Sequence, residues 1–254
     1  MRFAAPVAIS MLLIAGLASP ASAITNGSPD GNDHPSVGAL IADQPYPDGT
    51  WSYCTGTLIS PTVFLTAAHC RKGKKGTARV TFASHYTRGD AVYTGRYLPD
   101  ERYDADADRY DMAVVVFDSP IPGIRPAHLP PAGLLARMRA DGSLKDATFT
   151  PVGYGSLNPS KAKRKMKFTY TDTRSRTSIS YEGLTHMWLK LRPEGDDGGT
   201  CYGDSGGPNF LGDTDLLVAT TISGDDDACK TTNFDYRLDS SPAREFLARF
   251  VALP

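Results

Sequence analysis

The sequence is short of most features that would tie it to a partner class at once. Its charges nearly cancel, with 27 Lys and Arg against 28 Asp and Glu for a formal net charge of -1. No overall field therefore draws it to nucleic acid or to an anionic membrane surface. Four cysteines are present, with no CxxC and no HExxH, so the common zinc patterns are missing. The acidic run "DADADRYD" (104–111) spaces Asp104, Asp106 and Asp108 like a calcium loop. It then places Arg109 where a Gly is needed and Val115 where a bidentate Glu belongs, so no metal is expected. Helical periodicity is scarce and no internal repeat is visible. Beyond the first 23 residues nothing is apolar enough to span a bilayer.

What is there begins with an export signal. "MRFAAPVAISMLLIAGLASPASA" carries Arg2, an apolar stretch to Leu17 and the small-residue end Ala21-Ser22-Ala23. It reads as a secretory signal peptide over 1–23, too short to serve as a retained anchor. Cleavage after Ala23 would leave Ile24 first. A secreted, extracellular chain meets an oxidising compartment, so Cys54, Cys70, Cys201 and Cys229 are read as bridges. Three pairings are possible, and Cys54–Cys70 with Cys201–Cys229 is the local one. Short apolar runs such as "TVFLTAA" (62–68), "MAVVVF" (112–117), "ATFTPVGY" (147–154) and "LLVATTIS" (216–223) alternate with turn residues, aided by 24 Gly and 19 Pro. This is an all-β pattern. One segment differs: "SPAREFLARFVAL" (241–253) reads as a C-terminal helix, with Ser241 as cap, Pro242 in the first turn, and Phe246, Leu247, Phe250 and Val251 on one face. The basic clusters 71–75 and 161–167 read as solvated loops.

Three short stretches carry chemistry. In "GGTCYGDSGGP" (198–208), Gly203, Gly206 and Gly207 let the backbone turn sharply around Ser205 and bring the N–H groups of Gly203 and Ser205 toward one point. Of five histidines, only His69 ends an apolar strand beside a cysteine, in "LTAAHC". Asp111 leads into the core strand "DMAVVVF", where an ionisable group needs a partner. A nucleophile, a base and an orienting carboxylate are the parts of a serine acyl-transfer site.

In "TAAHC", "DMAVV", "GDSGGP" and the order His69, Asp111, Ser205, the chain resembles the chymotrypsin/trypsin superfamily of secreted serine peptidases over essentially all of 24–254. The resemblance implies two antiparallel six-stranded β-barrels, the first over 24–125 and the second over 126–254 with the C-terminal helix, as one peptidase domain. It implies catalytic His69, Asp111 and Ser205, an oxyanion hole from Gly203 and Ser205, and the local disulfide pairing. Activation would pair the new amine of Ile24 with Asp204. "ITNG" (24–27) stands where the family usually has "IVGG", and Asn26-Gly27-Ser28 is a glycosylation sequon expected to stay unused. The resemblance also implies a polypeptide substrate, proteinaceous inhibitors, a monomer and no cofactor, with neither nucleic acid nor a membrane as partner once the signal is gone.

For substrate choice, the resemblance puts Gly199 on the floor of the primary pocket, Thr200 beside it, Ser223 and Gly224 on its wall, and Phe234 shortening it. A neutral floor implies a small or medium apolar residue before the cleaved bond. Asp225, Asp226, Asp227 and Asp235 lie close in sequence, so a one-residue shift in register would instead give trypsin-like preference for a basic residue. A non-catalytic homologue acting as a binding module, and an esterase, are the readings from other classes.

Overall fold

In the computed structural model, the described residues are 24–72, 76–157, 159–162, 165–194, 197–226 and 228–254. The expected signal segment, part of each basic cluster and Asp227 lie outside them.

Six strands close the first barrel: β1 (Val37–Ile41), β2 (Ser52–Ser60), β3 (Val63–Thr66), β4 (Thr77–Thr81), β5 (Tyr93–Pro99) and β6 (Ala113–Val116). They run in the order β1-β2-β3-β6-β5-β4, every pairing antiparallel, and β4 returns to β1. The second barrel uses β7 (Thr148–Gly153), β8 (Ile179–Leu184), β9 (Trp188–Arg192), β10 (Pro208–Leu211), β11 (Leu217–Gly224) and β12 (Asn233–Arg237). Its order is β7-β8-β9-β12-β11-β10, closed by β10 on β7. The two barrels therefore repeat one strand order, although the sequence shows no repeat. Topology is set by where turns fall and which faces are apolar, and many sequences satisfy that.

β-Branched and aromatic residues dominate the inward faces, as the burial of Val37, Leu58, Phe64, Val114 and Val115 shows. Gly56 is required at its place on β2, because a Cβ there would overlap the Phe64 ring and the Leu65 carbonyl. The main core runs from the first barrel into the second through Val152, Tyr154, Phe210 and Tyr236. A smaller cluster of Phe149, Ile179, Leu189, Leu191 and Val218 fills the second barrel, covered by Leu135.

Leu135 belongs to α1 (Leu134–Asp141), a helix not expected from the sequence. It lacks a local cap, since its Ncap is Gly133 and the Leu135 N–H is accepted by the distant Asp239 carboxylate at 2.8 Å. With only Leu135 fully buried, no apolar stripe marks it. The C-terminal helix α2 (Ser241–Leu247) is present but shorter than the expected 241–253. Its Ncap is Ser240, and three-residue bonds from Arg249 to the Phe246 carbonyl and from Phe250 to the Leu247 carbonyl tighten the following turn.

Residues 24–30, placed with the first barrel in the sequence reading, are strapped onto the second. Thr25 bridges Gly199, and Ser28–Pro29 pairs with Ser175–Arg176, which pairs with β7. The strap ends at a buried pair, Arg174 Nε to Asp30 Oδ2 at 2.8 Å, both side chains fully enclosed. Arg174 also donates to the carbonyls of Gly31, Val37 and Phe82, so this buried cation has acceptors on every side. Burial pushes the Asp30 carboxyl up, but bonds from His34 and Arg174 outweigh this and hold it below its usual range.

Candidate active site

β3 ends in a tight turn, Ala68–Cys70, that carries His69. Two ties fix the turn. Cys70 is disulfide-bonded to Cys54 on β2, and the Tyr97 hydroxyl donates to the carbonyls of Ala67 at 2.5 Å and Ala68 at 3.2 Å. Asp111 sits just before β6 and is fully buried. The backbone reaches it through the left-handed region at Tyr110, φ 56°. One carboxylate oxygen accepts the His69 backbone N–H at 2.9 Å and the other meets Nδ1 at 2.6 Å. The carboxylate thus holds both the main chain and the ring of His69. It fixes the proton on Nδ1 and leaves Nε2 as the open acceptor. The His69 side chain keeps 33% exposure, so that open edge faces the cleft.

Ser205 comes from the other barrel. Gly203 at φ 100° and Gly206 at φ 82° flank it, and a Cβ on Gly203 would come 2.8 Å from the Gly155 Cα. Thr55 of β2 secures this loop. Its N–H donates to the Ser205 carbonyl at 2.9 Å, its hydroxyl donates to the Gly203 carbonyl at 2.9 Å, and it accepts the Tyr154 N–H at 3.1 Å. Thr55 was not singled out in the sequence, since a buried threonine in a strand carries no local signal. Among the described residues the His69 ring hydrogen-bonds only to Asp111. Ser205 and His69 meet as joint lining of one cavity.

That cavity, about 650 Å³, is also lined by Thr200, Thr221, Ser223, Gly224, Asp225, Asp226 and Asn233. Thr200, Ser223 and Gly224, expected at the primary pocket, all line this cavity. Gly199 is not part of the lining: it pairs with Thr25, and a Cβ there would approach Pro193 and the Asn233 amide oxygen at 3.0 and 3.3 Å. Phe234 is a correction. It packs edge-on against Trp188 and under Lys190, outside the cavity. The reason is a bulge in β11 between Thr221 and Ser223, which shifts the register by one and sets Asn233 opposite Gly224. Behind the cavity wall, Asp235 accepts the Asn209 amide at 2.8 Å and bonds Thr221, while its second oxygen meets no partner. Burial pushes its carboxyl up to about 8, against the smaller opposing pull of the Asn209 and Thr221 bonds.

Asp204 is fully enclosed beneath the Ser205 loop. Its two oxygens accept the N–H groups of Gly155 and Cys201, each at 2.8 Å. Burial still raises it to about 7, because among the described residues no cation reaches it. Ile24 is itself buried, at 1% exposure, with no hydrogen bond to Asp204. The second disulfide, Cys201–Cys229, ties the loop to the segment that follows β11.

The trypsin family model matches residues 27–241. The chain belongs to the trypsin family. By that membership it is a serine-type endopeptidase, and its two closed six-stranded barrels are the family's architecture. It is 25% identical to trypsin eta of Drosophila erecta over 232 residues, covering 85% of each chain. It is 29% identical to trypsin of Saccharopolyspora erythraea over 213 residues, covering 78% of this chain and 86% of that one. Among solved structures, HL collagenase superposes with a TM-score of 0.66 at 21% identity, over 89% of this chain and 98% of that chain.

Asp235 generates a pH prediction. Between about pH 4 and pH 8 the unfolded chain has lost this proton while the folded chain keeps it. Stability from this group is therefore greatest at low pH and falls as pH rises, by up to about 1.4 kcal/mol per pH unit. Asp235→Asn removes that slope. In urea unfolding, the variant is expected to gain on the parent from pH 5 to pH 8. Parallel curves would contradict this.

Proposed function

We propose that this secreted endopeptidase cleaves peptide bonds through Ser205, His69 and Asp111. The observation that carries the reading is the double grip of buried Asp111 on His69 in a cavity shared with Ser205. His69 Nε2 takes the Ser205 hydroxyl proton as Oγ attacks the scissile carbonyl. The N–H groups of Gly203 and Ser205 stabilise the oxyanion, and Asp111 stabilises the imidazolium. His69 then gives the proton to the leaving amine. In the second half water, deprotonated by His69, opens the acyl-enzyme and restores Ser205.

For the residue before the cleaved bond, the neutral lining groups Thr200, Thr221, Ser223, Gly224 and Asn233 support a small or medium apolar side chain. A basic side chain is the second reading, favoured by Asp225 and Asp226 in the cavity lining.

Activation follows from Asp204 and the strap. Removal of residues 1–23 would free an amine on Ile24, next to Thr25, which already pairs with Gly199 in the loop holding Asp204. That amine is the cation Asp204 lacks, so signal cleavage would itself complete the site. No helix among the described residues is long and apolar enough to cross a membrane.

Two outcomes are expected. A fluorophosphonate labels the secreted protein at Ser205, and Asp111→Asn lowers turnover on peptides by about 10⁴; absence of labelling would refute the catalytic reading. Separately, two residues added before Ile24 remove most activity while leaving the fold by circular dichroism, and full activity in that variant would refute activation by the Ile24 amine.

A further inference from the structure

Three buried polar side chains lie behind the primary cavity, and the proton transfers described above make no use of them. They are Asn209 on β10, Thr221 on β11 and Asp235 on β12. The Asn209 amide nitrogen donates to Asp235 Oδ1 at 2.8 Å and to the Thr221 hydroxyl at 3.0 Å. The Thr221 hydroxyl in turn bonds Asp235. Two oxygens are left over, Asp235 Oδ2 and Asn209 Oδ1, each buried and without a partner among the described residues. While Asp235 is ionised both can only accept; a proton on Oδ2 turns it into a donor. No charged group among the described residues faces this carboxyl. β9 sets Leu189 opposite it, β11 sets Thr221, and β7 sets Pro151 opposite Asn209. Lys190 turns to the Phe234 ring, and Arg237, two residues along β12, is bound by Asp239.

Thr221 joins this cluster to the site. Its carbonyl accepts the Gly206 N–H at 2.7 Å and its N–H donates to the Gly207 carbonyl at 2.9 Å. Its main chain thus holds the two residues that follow Ser205. Thr221 also lines the cavity and begins the β11 bulge that sets Asn233 at the pocket. Ionising Asp235 would leave a charge with one bare oxygen in an enclosed apolar barrel. Donors or water reach that oxygen only if the chain around it opens, and the bulge already interrupts the ladder there. We propose that Asp235 is a positioning residue for the reaction: neutral, it holds Thr221 and through it the pocket wall and the loop behind Ser205, and on losing its proton it releases them. The inference rests on the peptidase reading above. Burial raises this carboxyl to about 8, so the neutral form prevails below that pH and is lost above it.

The test is the rate at which a fluorophosphonate labels Ser205 from pH 7 to pH 9, in the parent and in Asp235→Asn. Asparagine keeps the shape of the neutral acid and cannot ionise. Other titrating groups, His69 and the Ile24 amine among them, are common to both proteins, so the ratio of the two rates isolates Asp235. Relative to Asp235→Asn, the parent is expected to slow by about tenfold over this interval, the loss of protonated fraction for a group near 8. It is expected to recover on return to pH 7. Asp235→Leu is the second variant, chosen because Leu189 and Val218 share its cluster of apolar neighbours. It also lacks the ionising group, so the same pH-dependent ratio is expected against it even if its rate is lower throughout. A purely structural role would lower a variant's rate by one factor at every pH. A ratio constant from pH 7 to pH 9 against either folded variant would overturn the proposal. A parent that is not labelled at any pH would instead overturn the peptidase reading and this proposal with it.

Discussion

Thr55 joins the two halves of the candidate site across the barrels. His69 and Asp111 belong to the first barrel and Ser205 to the second, so nothing local in the chain holds His69 and Ser205 together. Thr55 lies on a first-barrel strand, fully buried, and makes three hydrogen bonds to the second barrel. Two of them go to the carbonyls of Gly203 and Ser205. Those bonds anchor the main chain of the Ser205 loop on both sides of Asp204 and hold it against the first barrel. A chemical requirement across two barrels is thereby met by one strand residue whose neighbours are set by register.

Buried carboxylates divide the remaining labour, and their partners decide their state. Asp111 meets a histidine and holds both its ring and its main chain. Asp30 meets Arg174 and His34, stays ionised and pins the N-terminal strap. Asp204 and Asp235 have only neutral donors, so burial raises both. For Asp204 the missing cation has an evident source in the strap beside it. For Asp235 the consequence is thermodynamic, a proton held beneath the pocket at neutral pH.

The candidate site residues were legible in the sequence because they sit in short motifs whose geometry is local: the glycines around Ser205, the disulfide beside His69, and the carboxylate opening a core strand. The all-β class was legible from apolar runs broken by turns. What escaped the reading depends on non-local facts. Asn233 replaces Phe234 in the pocket because of a bulge eleven residues earlier, on a neighbouring strand. Helix α1 takes its cap from Asp239, about a hundred residues away in sequence. Thr55 is an ordinary strand threonine until the second barrel arrives.

The most direct measurement of the Thr55 claim is the rate at which a fluorophosphonate labels Ser205 in Thr55→Val and Thr55→Ser. Valine keeps the shape and loses the hydroxyl bonds to Gly203 and Tyr154; serine keeps them. If Thr55 positions the nucleophile loop, Thr55→Val labels about tenfold or more slowly with an unchanged circular dichroism spectrum, while Thr55→Ser stays close to the parent. Labelling of Thr55→Val at the parent rate would contradict the claim.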